Sequence, residues 1–62
     1  MTDKPITADV KAKVAANLRD FGYDITDEYV AGVIDKLVAG EKPTGIIGML
    51  AQSQLKQNGY LA

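Results

Sequence analysis

The segment ITDEYVAGVIDKLVAG, residues 25–40, decides the fold. Val30, Val33, Ile34, Leu37 and Val38 fall at i, i+3, i+4, i+7 and i+8. That spacing gathers apolar side chains on one face of an α-helix. Thr26 stands just ahead of the pattern, where its hydroxyl can accept from a free N–H of the first turn. Asp27 and Glu28 follow and place negative charge at the positive end of the helix dipole. Ile25, before the cap, is positioned to pack on Val30. Gly40 ends the pattern and supplies the left-handed conformation that closes a helix. The segment predicts a helix over about residues 27–39.

The same punctuation recurs on both sides of it. Thr7 and Gly22 bracket one further stretch, and Thr44 and Gly59 bracket another. They predict helices over about 8–21 and 45–57. In the first, Val10, Val14, Leu18 and Phe21 form a narrow apolar stripe, with Ala8, Ala12, Ala15 and Ala16 opposite. Asp9 and Lys13 are placed as a favourable i,i+4 pair. In the last, Ile47, Leu50, Ala51 and Leu55 share an inward arc. Pro43 prevents the middle helix from running on. Gly48 costs ~1 kcal/mol relative to alanine inside a helix, and its presence points to a close backbone approach.

The side chains between the caps do not match, so the chain is not a duplicated repeat. No segment alternates with period two, so no strand is expected. The expected fold is all-α, a compact three-helix bundle forming a single domain over 1–62. Its ends, about 1–5 and 60–62, are expected to be short and flexible, with a folded-back tail at Tyr60 and Leu61 as the alternative. The expected core is Val10, Val14, Leu18, Phe21, Val30, Val33, Ile34, Leu37, Ile47, Leu50 and Leu55.

Sixty-two residues suffice for one small core. The chain has neither cysteine nor histidine. Disulfides, the commonest metal ligand and the usual neutral-pH proton shuttle are therefore absent. The formal net charge is -1, which gives no general attraction to nucleic acid or anionic membranes. All eight acidic side chains lie in residues 1–41, whereas residues 42–62 carry only Lys42 and Lys56. No apolar leader follows Met1, and the longest apolar run near the end, Gly45 to Ala51, is far short of the ~20 residues that span a bilayer. The expected location is cytoplasmic, without membrane association.

Catalytic chemistry has little to work with. Ser53 is the only serine, and no histidine or cysteine is present to complete a nucleophilic pair. Asp24, Asp27 and Glu28 read as charge stabilising a helix start. Asp20, Gly22 and Asp24 lack the ligand spacing of a calcium loop. Gly45-Ile46-Ile47-Gly48 lacks the basic and strand context of a nucleic-acid clamp. The expectation is a non-enzymatic protein with no cofactor and no metal.

What remains points to binding. Ile46 and Met49 lie beside the inward arc of the last helix, near Ser53 and Gln57, and either complete the core or form an interface. Methionine suits adaptable binding surfaces. The sequence Leu18-Arg19-Asp20-Phe21-Gly22-Tyr23 resembles the Leu-x-x-Met-Gly-Phe signature of ubiquitin-associated domains, with Phe21 in place of methionine. The resemblance implies a three-helix module in which Phe21, Gly22 and Tyr23 form a binding loop and the last helix adds contacts. The candidate interface is Phe21, Gly22, Tyr23, Ile46, Met49 and Ser53, and the expected partner is another protein or a second copy of the chain. A homodimer burying Ile46, Met49 and the alanine face is one alternative. The other is a helix-turn-helix-like nucleic-acid binder displaying Gln52, Ser53, Gln54, Gln57 and Asn58. Against the latter, only Lys42 and Lys56 lie nearby to meet phosphates.

Overall fold

The computed structural model describes residues 4–61, which form three helices and no strand: α1 (Ala8–Asp20), α2 (Asp27–Val38) and α3 (Gly45–Gln57). Each pair of helices is in contact, so the architecture is the expected three-helix bundle. The first two helices end one residue earlier than the spacing predicted, because Phe21 and Ala39 serve as C-caps.

All three helices close in one way. Gly22, Gly40 and Gly59 adopt positive φ, which costs glycine little. Each glycine N–H donates back to the carbonyl three residues earlier, at Arg19, Leu37 and Lys56. The N–H groups of Tyr23, Glu41 and Tyr60 donate to the carbonyls of Leu18, Lys36 and Leu55. These paired bonds satisfy carbonyls that a helix end leaves open. At the starts, the Thr7 and Thr26 hydroxyls accept from the N–H groups of Val10 and Tyr29, at 3.4 and 3.0 Å. Thr44 does not follow: its side chain makes no capping bond. The chain instead enters α3 through Gly45, at φ +74°.

The buried core is Val14, Ala15, Leu18, Val30, Ile34, Leu37, Ala51 and Leu55. Val10, Val33, Ile47 and Leu50 pack against its edge. Ile25 does so too, as its place before the Thr26 cap suggested. One expected core residue, Phe21, fails, and the apolar pattern of α2 overreaches at Val38. Phe21 is 70% exposed and Val38 is 56% exposed. Ala15, expected on the side away from the core, is fully buried. The cause is a rotation of α1: its buried arc is centred on Leu18 and includes Ala15, whose small side chain permits close packing. Phe21 is thereby turned to the rim, one residue beyond the helix, where Gly22 carries the chain away.

The ion pairs also differ from expectation. Asp9 and Lys13 are not within ion-pair distance of each other. Lys11 instead meets Asp35 at 2.8 Å, and Arg19 meets Asp27 at 2.7 Å. The start of α1 is thus tied to the end of α2, and the end of α1 to the start of α2, so the two helices run antiparallel. Arg19 also donates to the Ile25 carbonyl, bracing the connecting loop. Gly48 is buried, and a Cβ on it would stand 3.3 Å from the Pro43 Cβ and 3.4 Å from its Cα. The close backbone approach expected there is made by the loop leading into α3.

Of the chain ends, residues 1–3 and 62 lie outside the described residues. Lys4 donates its backbone N–H to the Gly59 carbonyl at 3.2 Å. Its ammonium lies 5.4 Å from the centre of the Tyr60 ring. Tyr60 and Leu61 fold back against the core.

Leu55→Ala is expected to cost ~2–5 kcal/mol, and Leu50→Ala less, because Leu50 is only half-buried. Gly32→Ala should stabilise by ~0.5–1 kcal/mol, since it sits in a helix with open space about its Cβ position. Gly48→Val should destabilise by forcing the Pro43 loop outward. Urea titrations of the four variants check the order.

Candidate functional site

The C-terminal end of α1 and the outer side of α3 converge on an open groove. It is lined by Asn17, Asp20, Phe21, Leu50, Ser53, Gln54, Gln57 and Asn58 and has a volume of about 470 Å³. Ligand clefts usually begin at ~300 Å³. The groove exceeds that because it is an open valley between two helices. The Asn17 side-chain amide donates to Gln54 Oε1 at 3.3 Å, tying α1 to α3 along it.

Six residues were singled out from the sequence. Phe21 and Ser53 line this groove together. Ile46 and Met49 precede Ser53 by seven and four residues on α3, so helical spacing continues the same exposed side of α3 past Leu50. They are 52% and 58% exposed, which settles that neither is core. Gly22 and Tyr23 do not line the groove. Gly22 serves the positive-φ closure, and Tyr23 is half-buried with its N–H on the Leu18 carbonyl. Of the loop implied by the resemblance, Phe21 alone lines the groove.

Six lining residues lie outside that set: Gln54, Gln57 and Asn58, named from the sequence only as base-reading side chains, and Leu50, Asn17 and Asp20. Leu50 was taken as core, and half of that holds: it packs on the core edge and also forms the groove floor. Asn17 was invisible because a lone asparagine on a helix carries no pattern. Asp20 gave a signal that went unused: it is a carboxylate at the last residue of a helix, where the dipole disfavours it.

The face is mostly apolar and amide-bearing. Among the described residues no group of three or more acidic side chains is arranged to hold a metal ion. Gln54, offered as a base-reading side chain, is engaged by Asn17, and its carbonyl accepts from the Asn58 side chain at 2.8 Å. Among the described residues no helix is long and apolar enough to cross a membrane. No protein-family model matches the chain, and neither a curated protein nor a solved structure matches it.

Since Phe21 and Met49 hold up little of the bundle, Phe21→Ser and Met49→Asp should each change unfolding free energy by less than ~1 kcal/mol. Circular dichroism and urea denaturation measure this. Loss of helical signal in either variant would make that residue structural and remove it from the surface.

Proposed function

We propose that this chain is a non-enzymatic protein–protein interaction module that binds through the groove between α1 and α3 and the Ile46–Met49 ridge beside it. The observation that carries the reading is the 70% exposure of Phe21 on a groove that it lines with Ser53, while Ile46 and Met49, two turns and one turn before Ser53 on α3, are exposed as well. Burying a large apolar side chain yields ~1.5–3 kcal/mol. A chain with so small a core leaves that contribution unused in Phe21, which lines the groove, and in Ile46 and Met49 at helical spacing from Ser53. Aromatic and methionine side chains of this kind are enriched at interface centres. Ser53 and Gln57 supply hydrogen-bonding groups at the rim, as an interface edge requires. The cytoplasm is the proposed setting, with which the absence of cysteine is compatible.

Val38 provides a control, being comparably exposed and outside the groove lining. Tagged protein should retain a stoichiometric protein partner from nuclease-treated lysate of the source cells. Phe21→Ser and Met49→Asp should each abolish retention while Val38→Asp preserves it. Equal retention by all three variants would refute the proposed face, and retention lost on nuclease treatment would transfer the reading to nucleic acid.

A further inference from the structure

Asp20 is the only ionisable side chain lining the groove. The bundle gives it no structural task. Of the five acids within helices, Asp9 lies in the first turn of α1, and Asp27 and Glu28 lie in the first turn of α2, where the dipole favours them. Asp35 is paired with Lys11. Asp20 occupies the last position of α1, where the helix dipole opposes a negative charge. It belongs to neither ion pair. Its neighbour Arg19, the basic residue of that turn, is committed to Asp27. Asp20 thus stands beside an exposed phenylalanine, against its own helix dipole and outside both ion pairs of the described residues.

Resting on the interaction reading above, we propose that the groove takes a peptide segment carrying an apolar anchor and an adjacent lysine or arginine. The anchor seats between Phe21 and Leu50. The cation meets the Asp20 carboxylate at the negative end of the α1 dipole, in a lining without a basic group of its own. The occupant is therefore apolar and basic, whereas an acidic segment would face the Asp20 carboxylate and the negative end of the helix dipole. α3 contributes no acid along its length, so the negative end of the groove is set by α1 alone, and the direction of charge preference is fixed by one residue.

A random-peptide display selection on the whole chain tests this, run in parallel on wild type, Asp20→Asn and Asp20→Lys. Wild type should enrich peptides that place Lys or Arg next to a large apolar residue. Asp20→Lys should enrich Asp or Glu at that position. A synthesised wild-type binder should lose about tenfold in affinity to Asp20→Lys, and the loss should shrink at high salt, as for a partly exposed ion pair. Neither variant should lower stability, since each removes a charge the helix end disfavours. Enriched peptides with an apolar anchor and no charge preference, displaced by Phe21→Ser, would overturn the basic-partner inference and leave the interaction reading standing. Binders insensitive to Phe21→Ser and Met49→Asp would overturn both.

Discussion

Leu18, Val30, Ile34 and Leu55 meet with no solvent exposure, and the bundle depends on that meeting. One comes from α1, two from α2 and one from α3, so any of the three helices loses its anchor if the cluster opens. The small side chains Ala15 and Ala51 and the bare Gly48 are buried beside them. They contribute little area of their own but let the backbones come close enough for the large side chains to interlock. No side-chain polar atom is buried without a hydrogen-bond partner among the described residues, so no desolvation cost offsets this apolar contact. The two ion pairs sit outside it and set the pairing of α1 with α2 more than its strength.

So compact a cluster has a geometrical cost at the periphery. A side chain one residue beyond a helix end cannot reach it, and Phe21 is in that position. The helix-closing glycine removes Phe21 from the interior and leaves it beside α3. The groove thus follows from the same local hydrogen bonding that ends α1. The site is built on helix ends and helix faces, elements held by backbone bonds, and its geometry is set before any ligand arrives.

Helix number, order and bounds were legible because threonine, the apolar period and glycine agree for each helix. The middle helix was the clearest, since its five apolar residues fit one template. Its last, Val38, nevertheless lies exposed, because periodicity marks an arc without marking where the neighbouring helices stop. The placing of Phe21 and Ala15 was not legible for a related reason. A narrow stripe reads as inward from sequence, but the rotation of α1 follows the close approach that Ala15 permits, a property of the assembled bundle. Thr44 shows the limit of reading a cap from type alone: Gly45 at positive φ changes how the chain enters α3. Of the candidate site, Ile46, Met49 and Ser53 could be read from helical spacing, while the meeting of Ser53 with Phe21 required the packing of α1 on α3.

The hydrogen bond between the Lys4 amide and the Gly59 carbonyl brings the two ends of the folded unit to one spot on its surface. The chain therefore enters and leaves the bundle by the same door. Such a unit can be spliced into a surface loop of a larger host, or strung in tandem with short connectors, without stretching either end. Joining residue 61 to residue 4 through a short linker, which keeps Tyr60 and Leu61 on the core, and reopening the backbone in the loop between α2 and α3 would give a permuted chain with the same three helices. The groove of Phe21 and Leu50 would be carried over intact, because neither cut touches α1 or α3.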